Sequence, residues 1–64
     1  MITPQLLEEL GFQLLMSDYW RKGNYGLLRS FDGGKITFIN FNSVMTTLEE
    51  LKEDYKKKEG KELW

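Results

Sequence analysis

The chain reads as an α+β domain: an N-terminal helix, a three-stranded antiparallel β-meander and a C-terminal helix, in the order α-β-β-β-α. Three observations lead there. Apolar residues fall at helical spacing near both ends. Asp32-Gly33-Gly34 separates two β-rich runs, Tyr25 to Phe31 and Lys35 to Phe41. A helix-start signature, Thr47-Leu48-Glu49-Glu50, follows the last of these runs.

The elements follow in order. Thr3 is placed to cap the first helix, and Pro4 sits at its first position, where a missing N–H costs nothing. Ile2, Leu6, Leu7 and Leu10 share one stripe, and Gly11 is the expected stop. Phe12 to Met16 is a short apolar run with Ser17-Asp18 as an interruption. Tyr19-Trp20-Arg21-Lys22 either continues that arm or forms a second one, and Gly23-Asn24 is a turn signal. A two-residue turn within Asp32-Gly33-Gly34 makes Tyr25 to Phe41 a hairpin. One face then collects Tyr25, Leu27, Arg29, Phe31, Ile36, Phe38 and Asn40. The other collects Gly26, Leu28, Ser30, Lys35, Thr37, Ile39 and Phe41. The first is richer in large apolar groups and is the expected core face. Val44 and Met45 enter the last helix as a short strand or staple. Leu48, Leu51 and Tyr55 form that helix's apolar stripe. Glu53 with Lys57 and Asp54 with Lys58 stand acid before base at i,i+4, and Gly60 ends the helix.

Composition bounds the function. With 64 residues the chain makes one small domain, residues 1–64. A domain of this size buries only about 60% of the surface its unfolded chain exposes. Such domains commonly gain stability from disulfides, a metal or self-association. Cys and His are both absent, which excludes the first and argues against a soft-metal site, and the expectation is no metal and no cofactor. The nine aromatic residues favour dense packing. Net charge is −1, lacking the basic excess that phosphate neutralisation demands, so duplex nucleic acid is disfavoured. No signal sequence and no apolar run of membrane-spanning length is visible, and the expectation is a cytoplasmic protein.

The motifs at the two ends bear a likeness. Thr3-Pro4-Gln5-Leu6-Leu7-Glu8-Glu9-Leu10-Gly11-Phe12, Tyr19-Trp20-Arg21-Lys22-Gly23, Thr47-Leu48-Glu49-Glu50-Leu51 and Gly60-Lys61-Glu62-Leu63 together resemble small proteins of phages and prophages of Bacteroides-type gut bacteria. Those open with a Thr-Pro helix ending Leu-Gly-Phe, and close with a Glu-Leu helix and a Gly-x-Glu-Leu tail. The chain departs from the pattern at Lys52-Glu53-Asp54-Tyr55 and at Lys58-Glu59. The resemblance implies a phage or prophage origin and the α-β-β-β-α layout. It carries no activity.

Chemistry is sparse. Nucleophilic triads need a base beside Ser or Cys, and the usual base, His, is missing. Glu49, Glu50, Glu53 and Asp54 crowd one helix, where such runs normally form a solvated face. The expectation is therefore no enzyme. Two binding surfaces are legible instead. Leu28, Ile39, Phe41 and Trp64 are apolar groups in excess of what two helices readily cover, and they read as an interface for a protein partner or for self-association. Trp20, Arg21, Lys22, Tyr25 and Arg29 put rings and cations on a sheet, a pattern that stacks bases and holds a small anionic ligand such as a nucleotide. The leading expectation is a phage-type accessory protein that modulates a host protein as a small homo-oligomer. A nucleotide-sequestering protein and a virion or assembly component are the alternatives.

Overall fold

The computed structural model describes residues 2–64. Helix α1 covers Pro4–Glu9 and helix α2 covers Leu48–Glu59. Between them lie five strands rather than three: β1 Gln13–Met16, β2 Tyr19–Lys22, β3 Tyr25–Asp32, β4 Lys35–Asn40 and β5 Ser43–Met45. They form one antiparallel meander in the order β1-β2-β3-β4-β5.

The two extra strands arise at two turns that lack glycine. Asp18 and Phe41 take the left-handed conformation, at φ 72° and 54°. Asp18 folds the Phe12–Lys22 segment into a hairpin, so that β1 and β2 are separate strands. Phe41 turns the chain between β4 and β5, which leaves Val44 and Met45 paired to Ile39 and Phe38. Asp tolerates positive φ through its short polar side chain, whereas Phe at positive φ is an outlier.

Both helices carry the punctuation expected of them. The Thr3 hydroxyl accepts the Leu6 amide at 3.1 Å, and Gly11 leaves α1 at φ 96°. In α2 the Thr47 hydroxyl accepts the Glu50 amide at 3.2 Å, while the Glu50 carboxylate accepts the Thr47 amide at 3.1 Å. Gly60 closes the helix at φ 75°. Of the two expected intrahelical pairs, Asp54–Lys58 forms, at 3.1 Å.

The β3–β4 turn is Gly33-Gly34, since Asp32 pairs with Lys35. That register places Tyr25, Leu27, Arg29, Phe31, Ile36, Phe38 and Asn40 on one face, as the alternation requires. Both helices cover this face. Its core joins Trp20, Tyr25, Leu27, Phe38 and Met45 from the sheet to Leu7, Leu51 and Tyr55 from the helices, with Ile2, Phe12 and Leu63 closing the ends. Tyr25 is central, its ring edge-on to Phe12 at 6.2 Å and to Tyr55 at 5.0 Å. Phe31 and Ile36 depart from the expected core. They are 72% and 44% exposed, because the β3–β4 hairpin carries them beyond the short helices.

Candidate binding face

The other face of the sheet has no helix on it, and the strand registers determine what it displays. Residues paired across neighbouring strands point the same way. Met16 pairs with Tyr19, Tyr19 with Leu28, Leu28 with Ile39, and Ile39 with Val44. One row of large apolar side chains thus crosses all five strands. Met16, Leu28 and Val44 are 71%, 47% and 61% exposed, and Tyr19 and Ile39 are half-buried.

The row depends on a bulge. Leu14 pairs with Trp20 while Met16 pairs with Tyr19, so Leu15 is the extra residue. Without it Leu14 and Met16 would share a face. With it Leu14 stays on the helix side and Met16 turns to the open side.

Beside the row lies a shallow depression of about 420 Å³. Gly26 forms part of its floor, and the Tyr19 ring lies over that glycine closely enough that a Cβ there would collide with it. Among the described residues Arg21 is the only charged group lining the depression, its guanidinium steadied by donation to the Gly23 carbonyl at 2.8 Å. Phe41 stands at the rim, 88% exposed. An aromatic ring held in water on a left-handed backbone gains little for the isolated fold, and such strain costs about 1–2 kcal/mol.

The residues expected at an interface divide between two places. Leu28, Ile39 and Phe41 meet at this depression. Trp64 is half-exposed elsewhere, against Leu6, Leu10 and Leu48 on the helical side, with the Lys52 ammonium 4.8 Å from its ring centre.

The five residues expected to hold a nucleotide are not brought together. Trp20 and Tyr25 belong to the core, 3% and 1% exposed. Lys22, on the same face, donates to the Leu10 carbonyl at 2.6 Å and so clamps the end of α1. Arg29 is paired with Asp18, Nη2 to Oδ1 at 2.7 Å. Arg21 alone faces the open side. Four of the five therefore share the helix-covered face, where burial and pairing already occupy them, and alternation along β2 sets only Arg21 apart.

Sequence reasoning missed a polar network on the helix side. Asp54 accepts the Tyr25 hydroxyl at 2.6 Å and the Ser43 hydroxyl at 2.8 Å, and pairs with Lys58. Lys58 donates to Asn40 Oδ1 at 2.6 Å, to the Asn40 carbonyl at 3.1 Å and to Ser43 Oγ at 3.0 Å. Asn40 Nδ2 reaches the Gly26 carbonyl at 2.6 Å. Burial pushes the Asp54 carboxyl up, but hydrogen bonds from Tyr25, Ser43 and Lys58, with the Lys58 charge, outweigh it and hold the group below its ordinary value. Burial chiefly, then the bond to Asp54, drives the Tyr25 hydroxyl far above its ordinary value. The only early signal was the Asp54–Lys58 spacing, since the other partners lie 11 to 29 residues away.

A serine, a lysine and an aspartate in contact invite a catalytic reading. The geometry opposes it. Four oxygens surround Lys58 Nζ, which suits an ammonium and leaves no lone pair directed at Ser43. The Ser43 hydroxyl is already spent on Asp54. Among the described residues no group of three or more Asp or Glu side chains is placed to hold a metal ion, and no helix is long and apolar enough to cross a membrane. Compared with protein families, with curated proteins and with solved structures, the chain gives no match.

Proposed function

We propose that the protein acts by binding, without catalysis, and that the helix-free sheet face is the surface it uses. One observation carries the reading: the unbroken apolar row Met16–Tyr19–Leu28–Ile39–Val44, beside a depression whose single charge is Arg21. Burial of such a row is worth roughly 25 cal/mol per Å² of apolar surface. The fitting occupant is a protein that presents an apolar side chain to the depression, with an acidic group beside it to meet Arg21. Phe41 is the anchor on this side, flanked by Leu28 and Ile39.

The rest of the reading follows from the size of the domain and from its end motifs. A small phage-type accessory protein that modulates a host protein by occlusion needs a surface of this kind and no chemistry. Self-association belongs to the same reading, because so small a core benefits from it. The nucleotide alternative lacks comparable support, since four of its five groups lie on the helix side and two are in the core.

The test compares wild-type protein with Leu28→Glu, Phe41→Ala and Arg21→Glu, each first checked for native circular dichroism. A partner captured from host lysate is purified and titrated against all four. Saturable binding that falls at least about tenfold in each variant supports the reading, about 1.4 kcal/mol per change. Undiminished binding to Leu28→Glu and Phe41→Ala overturns it.

A further inference from the structure

The geometry points to Lys58 as a positioning residue: from the helix side of the sheet it holds the β4–β5 turn so that the Phe41 ring stands at the rim of the open-face depression. What the ring does there rests on the preceding reading; how it is held does not.

The turn is Phe41-Asn42, since Asn40 pairs with Ser43. Asparagine tolerates positive φ far better than a bulky ring does. Yet Phe41 takes the positive φ, at 54°, and Asn42 does not. The ring recovers little burial in return, being 88% exposed. A residue strained in this way persists only where its surroundings over-determine it.

Lys58 supplies that constraint. Its ammonium donates to the Asn40 carbonyl at 3.1 Å and to Asn40 Oδ1 at 2.6 Å on one side of the turn. On the other side it donates to Ser43 Oγ at 3.0 Å. One cation thus bridges both ends of the turn. The Asn40 side chain extends the hold, because its Nδ2 donates to the carbonyl of Gly26, which lines the depression. Behind the ammonium, Asp54 fixes it from α2 at 3.1 Å.

A continuous chain of contacts, Asp54–Lys58–Asn40–Gly26, therefore runs from the last helix to the floor of the depression, and Phe41 is carried on it. The polar network on one side of the sheet presets an anchor on the other. A ring already ordered in its binding position spares the cost of ordering it when a partner arrives.

Backbone NMR relaxation and thermal melting of the full chain test this, on wild type, Lys58→Met, Asn40→Ala and Asp54→Asn. Lys58→Met keeps the aliphatic stem and removes every donor. Asn40→Ala removes one acceptor and the link to Gly26. Asp54→Asn weakens the fold but leaves the Lys58 donors to Asn40 and Ser43. In wild type and Asp54→Asn the Phe41 and Asn42 amides should show order parameters of about 0.85. In Lys58→Met and Asn40→Ala they should fall below about 0.6, while Tyr25–Leu28 stay rigid. Melting adds a coupling: Phe41→Asn should raise Tm in the wild type and leave it unchanged in Lys58→Met, because a released turn has no strain left to relieve. Should Lys58→Met fail to fold, Asn40→Ala and the wild-type relaxation still decide. A wild-type turn already below about 0.6 overturns the inference, as does a turn that stays rigid in the folded variants of Lys58 and Asn40. Loosening in Asp54→Asn equal to that in Lys58→Met also overturns it. Released turns in Lys58→Met with partner binding undiminished in Phe41→Ala support the role of Lys58 and count against the binding face.

Discussion

Phe41 condenses the account to a single side chain. Its ring is nearly all in solvent, its backbone is in the left-handed region, and the Lys58 ammonium lies 5.9 Å from the ring centre. An exposed cation–ring pair offers at most about 0.5–1 kcal/mol. Phe41→Asn relieves the backbone and loses little burial, so it should raise stability by roughly 0.5–1 kcal/mol, a few degrees in Tm for a domain of this size. Calorimetry checks this, and the same variant should bind partner more weakly. Trp20 is the opposite case. It is buried, yet its indole Nε1 has no hydrogen-bond partner among the described residues. An unmet buried donor costs about 1–3 kcal/mol, which offsets much of what the larger ring contributes by packing. Trp20→Phe should therefore cost under about 1.5 kcal/mol in a denaturant titration, well short of the 3–5 kcal/mol typical of Trp→Ala.

At the scale of elements, the helices were legible and half the hairpins were not. Thr3, Pro4, Gly11, Thr47, Glu50 and Gly60 each act through local backbone chemistry, which a sequence records directly. The β3–β4 turn was equally plain in Gly33-Gly34. Ser17-Asp18 reads as an interruption and Val44-Met45 as a short strand or staple, but the turn at Phe41 is hidden because an aromatic residue does not advertise positive φ, and local signals alone do not pair β1, β2 and β5 into the sheet. The helix-free face is half-legible: Leu28 and Ile39 follow from alternation, but Met16 and Val44 join them only through the bulge and the β5 turn. Of the Asp54 network only the Asp54–Lys58 spacing is legible, because its other bonds join α2 to β3, β4 and β5 across long stretches of sequence. Two predictions belong here. Thr47→Ala removes a cap and should cost about 1 kcal/mol by thermal melting. Asp54→Asn should cost about 2–3 kcal/mol near neutral pH, because Tyr25 and Lys58 lose their shared acceptor. The Asp54 carboxyl is depressed in the folded state, so its contribution is complete above the ordinary value of about 4. It disappears as pH falls through the lower folded value. Denaturation followed against pH should show the wild type losing its advantage over Asp54→Asn in that acid range.

For the whole molecule, the decisive feature is that a five-stranded sheet has both helices on one side. Seven strand and helix residues, from Leu7 to Tyr55, meet with Trp20 on that side, and the opposite side keeps its apolar row in water. Hydroxyl-radical footprinting of the dilute chain reads this division directly, residue by residue. Leu28, Phe41 and Val44 should be labelled, whereas Trp20, Tyr25 and Met45 should be spared even though indole and thioether groups are intrinsically the more reactive. Labelling of Trp20 and Met45 as fast as Phe41, or protection of Leu28 and Val44 in a single chain, would contradict the account.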